Sequence, residues 1–217
     1  PREECGVFGI YAPGIDVARL TFFSLFALQH RGQESAGIAV TDGSRLIVHK
    51  DIGLVSQVFS EQTLQSLPGS LAIGHVRYST TGANEMRNAQ PFARTRNGSF
   101  IALAHNGNLV NTDQLRADLL RSGQVFASTS DTEVIAALLA EHPSRDIREA
   151  LRDIIPRLRG AFSAVLLTKD EVIGFRDPFG IRPLVLGQLD GRYCLASETS
   201  GLDIIGARLV REIEPGE

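Results

Sequence analysis

Cys5 opens a short apolar, glycine-flanked run, Glu4-Cys5-Gly6-Val7-Phe8-Gly9-Ile10, where its residue type and place suit it to nucleophilic chemistry. A free thiol titrates near pH ~8.5 and an α-amino group near ~7.7–8.0, so an amine on the same residue is matched to take the thiol proton at neutral pH. Pro1 to Glu4 stand in front of it. While they remain, the Cys5 nitrogen is an amide that accepts no proton, and the chain reads as a precursor or an inactive form. Taken alone, Cys5 reads first as a small hydrophobe at the start of a buried strand.

Three further segments carry groups of complementary chemistry. Gly74-His75-Val76-Arg77-Tyr78-Ser79-Thr80-Thr81-Gly82 ends a run of small and apolar residues in an arginine and hydroxyls. Arg77 offers a planar fork for a carboxylate and Thr80 a hydrogen bond, although a salt bridge at a strand end accounts for Arg77 as well. In Ala104-His105-Asn106-Gly107-Asn108-Leu109 the Asn-Gly pair by itself reads as a type I′ hairpin turn. The other reading is an oxyanion hole made by the Asn106 amide and the Gly107 backbone N–H. Asp131, just after Ser130, either stabilises a helix start or holds an ammonium. Used together, these groups describe a site for glutamine: a thiolate at the amide carbonyl, Asn106 and Gly107 on the oxyanion, Arg77 on the α-carboxylate and Asp131 on the α-ammonium.

The elements that must position these groups follow from pattern. Many short β-branched or apolar runs are separated by Gly, Asn, Asp and Pro, which predicts strands at Gly6–Tyr11, Ala36–Thr41, Leu46–Lys50, Leu71–Val76, Phe100–Ala104, Ala161–Leu167, Val172–Phe175, Leu184–Leu186, Tyr193–Ala196 and Leu209–Ile213. A helix follows Asp16 to about Leu28; it is apolar almost all round, which predicts burial between layers. Mid-chain, Thr112 opens a helix carrying Leu115 and Leu119, Ser130 and Glu133 spell a capping box, and a third helix after Pro143 carries Ile147, Leu151, Ile154 and Leu158. Strands, helices, then strands again, without βαβ alternation, predict antiparallel sheets with helices outside them. Leu209–Ile213 is read as a strand with no return strand to pair, which points to a chain cut from something longer.

At 217 residues and 43% hydrophobic content the chain is long enough for one large domain. A net charge of −3 with scattered Arg and Lys gives no basic stripe for nucleic acid. The longest apolar runs are far below the ~18 residues that span a bilayer, and Pro1-Arg2-Glu3-Glu4 is no signal peptide. Two cysteines, Cys5 and Cys194, make no disulfide framework, so a reduced cytoplasmic protein is expected. The five histidines have no metal-ligand spacing.

Six segments in order resemble a known family: Glu4 to Ile10, Gln29-His30-Arg31-Gly32-Gln33-Glu34, Gly74 to Thr80, His105 to Leu109, Ser130-Asp131-Thr132-Glu133, and Arg176-Asp177-Pro178-Phe179-Gly180-Ile181-Arg182-Pro183-Leu184. They are similar to the glutaminase domain of the glutamine phosphoribosylpyrophosphate amidotransferases, over essentially the whole chain. The resemblance implies an α+β N-terminal-nucleophile hydrolase fold, a four-layer αββα sandwich of two antiparallel sheets, with residues 1–4 as a leader and 5–217 as the glutaminase domain. It implies Cys5 as nucleophile, Asn106 and Gly107 as oxyanion hole, and Arg77, Thr80 and Asp131 as glutamine ligands, with Arg31 near the nucleophile. It further implies a missing phosphoribosyltransferase domain as partner, a homo-oligomer in the full enzyme, and Mg2+ and a 4Fe-4S cluster carried with that domain. A four-cysteine cluster cannot be built from two cysteines. An uncleaved, catalytically silent glutamine- or partner-binding domain is the alternative reading.

Overall fold

The computed structural model describes residues 5–78 and 85–217. Its strands are β1 (Gly6–Tyr11), β2 (Ser35–Thr41), β3 (Leu46–Ile52), β4 (Leu71–Arg77), β5 (Phe92–Arg96), β6 (Ser99–Leu109), β7 (Gly160–Leu167), β8 (Val172–Arg176), β9 (Val185–Leu189), β10 (Arg192–Ala196) and β11 (Arg208–Glu212). Its α-helices are α1 (Val17–Ala27), α2 (Val55–Val58), α3 (Glu61–Gln65), α4 (Thr112–Arg121), α5 (Asp131–Glu141), α6 (Ile147–Ile154) and α7 (Thr199–Asp203). The strands form a seven-stranded sheet in the order β11-β9-β10-β1-β4-β2-β3 and a four-stranded sheet in the order β5-β6-β7-β8. Every strand pairing is antiparallel.

Alternation along each strand explains the layering. Successive side chains of a strand point to opposite faces, so a sheet covered on both sides needs apolar residues at both parities. In β1, Phe8 and Ile10 join the core beneath α1, α2 and α7, whereas Val7 joins the core between the sheets. In β4, Ala72 and Val76 face the helices and Leu71 and Ile73 face the other sheet. In β6, Ala102 and Ala104 lie between the sheets, while Ile101 and Leu103 pack beneath α4, α5 and α6. The result is helices, sheet, sheet, helices, the αββα sandwich of the N-terminal-nucleophile hydrolase fold.

Several elements differ from the sequence reading. Helix α1 is an outer layer rather than a buried one, with Phe23 and Phe26 exposed. Its inward face is made of Val17, Ala18, Thr21, Ser24 and Leu25, and it packs directly on β4, where a Cβ on Gly74 would stand 2.6 Å from Thr21 and 2.8 Å from Leu25. Strand β11 does have a partner: it closes the sheet edge by pairing with β9, which precedes it. Ser130 caps α5 through Thr132, but Glu133 does not complete a capping box. Its carboxylate instead accepts from Ala127 N, Ser128 N and Ser128 Oγ and pairs with Arg94. Finally, Asn106-Gly107 is no hairpin turn. It lies inside β6, paired residue for residue with Ser163 and Phe162 of β7.

Candidate active site

The parity that builds the layers also gathers the reactive groups. Cys5 immediately precedes β1 and shares parity with Val7, while Asn106 shares parity with Ala102 and Ala104, so both side chains face the gap between the sheets from opposite sides. Arg77 ends β4 with the parity of His75 and Ile73, and the register Gly6↔Val76 brings it beside Cys5. A cleft of about 390 Å³ opens where these strand ends meet, lined among others by Cys5, Arg77, Tyr78, Asn106, Gly107 and Asp131.

The Cys5 thiol is held by the backbone of Tyr78, whose N–H donates to Sγ at 3.5 Å and whose carbonyl lies 3.7 Å away. Burial pushes the thiol up; the Tyr78 hydrogen bond and the Arg77 and Arg182 charges only partly oppose this, and Asp131 adds to it. A proton acceptor is therefore needed to make the thiolate at neutral pH. Behind Cys5, the buried Arg31 guanidinium donates through Nε to the Cys5 carbonyl at 2.9 Å and through a terminal nitrogen to Glu198. His30 Nε2 meets the other oxygen of Glu198 at 2.9 Å. Arg31 thus grips the backbone of the nucleophile and does not line the cleft.

Asn106 is buried, yet neither polar atom of its side chain has a hydrogen-bond partner among the described residues. Unpartnered buried amides are uncommon and costly, and one lining a cleft beside a thiol is placed to meet a ligand. Gly107 has φ +143°, and a Cβ there would stand 2.1 Å from the Ala161 carbonyl oxygen, so only glycine lets β6 and β7 remain in register at this point. That close approach is the physical reason a strand replaces the expected turn.

Asp131 is the first residue of α5, and its Oδ2 accepts from Leu109 N at 3.0 Å while Oδ1 lies 3.6 Å from His105 Nδ1. Burial works to raise its pKa, but the neighbouring His105 and the hydrogen bonds it receives win, holding the carboxyl below the usual range. Arg77 lies 3.6 Å from Glu34 and is largely buried. Thr80 lies outside the described residues. Cys194 sits in the core, and burial pushes its thiol up to about 12. Among the described residues no group of His, Cys, Asp and Glu could hold a metal ion, and two cysteines do not fit a four-cysteine cluster. No helix among them is long and apolar enough to cross a membrane.

Sequence reasoning passed over Tyr78, Arg182, Gln90 and Glu198. Arg182 and Gln90 line the cleft, and Glu198 anchors Arg31. Arg182 lay within the Arg-Asp-Pro-Phe-Gly-Ile-Arg-Pro segment, and Asp177 shows why that segment is ordered: its carboxylate accepts from Phe162 N, Phe179 N and Gly180 N. Glu198 and Gln90 have no local signal, because their partners are distant in the chain.

The family described as glutamine amidotransferase domain matches residues 75–203. The chain is 53% identical over 225 residues to the amidophosphoribosyltransferase of Mycobacterium tuberculosis H37Rv, covering 100% of this chain and 42% of that protein. It is 56% identical over 224 residues to that of Synechococcus elongatus, covering 100% of this chain and 45% of that protein. Among solved structures, glutamine phosphoribosylpyrophosphate amidotransferase from Bacillus subtilis, complexed with ADP and GMP, superposes with a TM-score of 0.90 at 42% identity, covering 97% of this chain and 46% of that one. The chain therefore spans less than half the length of these relatives.

Proposed function

Because this chain belongs to the glutamine amidotransferase domain family, we propose that its cleft hydrolyses the side-chain amide of glutamine to glutamate and ammonia, with Cys5 as nucleophile. Sγ attacks the amide carbonyl carbon, and the Asn106 amide and Gly107 N–H take the oxyanion. The Cys5 α-amine, once freed, accepts the thiol proton and passes it to the departing nitrogen. Ammonia leaves and a thioester remains; water activated by the same amine then adds to it, and collapse releases glutamate and restores the thiol. Arg77 binds the α-carboxylate, Asp131 the α-ammonium, and Thr80 adds a hydrogen bond. Arg31 fixes the nucleophile through its carbonyl.

The observation that carries this reading is the convergence on one cleft of a thiol, an unpartnered buried amide, a guanidinium and a carboxylate of depressed pKa. Such a set matches an amino acid at its α-end and a scissile amide at the other. In the longer protein the ammonia would be delivered to phosphoribosyl pyrophosphate by the phosphoribosyltransferase portion, which would also carry the magnesium, any iron–sulfur cluster and the oligomer contacts, in a cytoplasmic enzyme.

With Pro1–Glu4 attached, the Cys5 nitrogen is an amide and the cleft binds glutamine without turning it over. A chain beginning at Cys5 should release ammonia from glutamine, whereas the chain retaining Glu4 should be nearly inactive. Equal rates from the two would refute the role of the amine. An electrophilic glutamine analogue should label Cys5; adducts on Cys194 alone would remove Cys5 from the reaction.

A further inference from the structure

The geometry points to Gln90 as a positioning residue that continues a β-ladder with its side chain and thereby sets the oxyanion hole. This rests on the proposed role of Asn106. Strands β5 and β6 pair from Arg96↔Ser99 to Phe92↔Leu103, and continuing that register by two residues sets Gln90 opposite His105. Pro91 stands between Phe92 and Gln90, and the backbone pairing of β5 with β6 ends at Phe92↔Leu103. The Gln90 carboxamide takes over. Its Oε1 accepts from His105 N at 2.8 Å and its Nε2 donates to His105 O at 3.3 Å, the two bonds that a paired strand residue would exchange. His105 is the residue immediately before Asn106, so the clamp fixes the backbone that aims the Asn106 amide and the Gly107 N–H.

Gln90 is itself held from the facing sheet. Lys50 Nζ on β3 donates to Ala89 O at 2.5 Å and Pro91 O at 3.1 Å, on either side of Gln90. A Cβ on Gly37 of β2 would stand 2.0 Å from the Gln90 carbonyl oxygen, so Gly37 is what allows the segment to seat. His75 of β4 adds a second donor to His105 O at 3.1 Å. The oxyanion strand of one sheet is thus located against the sheet that carries Cys5. Gln90 is 6% exposed and lines the cleft, so its amide is a nearly buried part of the wall.

Displacement of reacting groups by about an ångström costs on the order of 100-fold in rate. In the full-length protein trimmed to Cys5, Gln90→Met keeps length but removes both hydrogen bonds. It should lower kcat about 10–100-fold, with KM for glutamine and the inhibition constant for glutamate within about threefold of wild type. Because Gln90 acts through Asn106, the double variant Asn106→Ala/Gln90→Met should be no slower than Asn106→Ala beyond about threefold. Unchanged kcat in Gln90→Met, a loss confined to KM, or multiplied losses in the double variant would overturn the proposal. An Asn106→Ala variant with full kcat would instead sink the oxyanion assignment beneath it. Should Gln90→Met fail to fold, amide hydrogen exchange on the unsubstituted protein decides: the His105 amide should be protected as strongly as that of Leu103, and fast exchange there would overturn the clamp.

Discussion

Acid should destabilise this domain through one buried side chain, His75. It is fully buried, its Nε2 faces the His105 carbonyl, and that carbonyl only accepts, so the neutral ring carries its hydrogen on Nε2. Nδ1 has no hydrogen-bond partner among the described residues. Protonation would add an N–H there with nothing to receive it. Burial is the main cause that lowers the His75 pKa to about 3; the bond to His105 O opposes it, while the charges of His105, Arg77 and Lys50 act with burial. In the unfolded chain the ring titrates near ~6.5. The folded pKa is the lower one, so the neutral-ring contribution is fully present above pH ~6.5 and is lost as pH falls towards about 3. The shift from 6.5 to about 3 corresponds to about 5 kcal/mol in all. About 3 kcal/mol of it is gone by pH ~4. Urea unfolding at pH 7 and pH 4 measures the loss, and His75→Gln, which cannot titrate, isolates it from the carboxylates that titrate in the same range. The wild type should lose about 3 kcal/mol more than the variant between the two pH values. Parallel losses in both proteins would refute the reasoning.

Asp131→Asn should remove the charge that meets the substrate ammonium, worth about 1.5–3 kcal/mol, and raise KM for glutamine about 10–150-fold with kcat little changed; a variant whose KM is unchanged would exclude the contact. Asn106→Ala should show the opposite profile, a kcat lower by about 10²–10³ at nearly constant KM, and its removal of a buried unpartnered amide should spare stability, as a thermal melt would show. Gly37→Ala should cost about 3 kcal/mol or more in urea unfolding, since its Cβ would stand 2.0 Å from Gln90 O and backbone must move; a loss below about 1 kcal/mol would show that the segment yields freely.

Short apolar runs broken by Gly, Asn and Pro, with the order of strands and helices, indicated by themselves antiparallel sheets with helices outside them. They did not place α1, which the pattern put between layers, and they passed over β5. β1 (Gly6–Tyr11) is delimited by its own residues, and α6 by the spacing of Ile147, Leu151 and Ile154. Cys5, Arg77, Asn106 and Asp131 could each be singled out because residue type and a neighbouring strand or cap suffice for that. Their meeting could not. It depends on strand parity and on the offset between two sheets, which no local window contains. Tertiary packing also overruled local preference. The Asn106-Gly107 turn signal lost to β7, which approaches Gly107 too closely for any Cβ. The Ser130–Glu133 capping box lost to Arg94 and the Ser128 backbone. The Gln90 clamp, the Arg31–Glu198 grip on the Cys5 carbonyl and the His75–His105 bond join residues 15, 167 and 30 positions apart. Hydrogen bonds across such separations exist only once the chain has folded, because their geometry is set by the stacking of the sheets and not by the residues on either side.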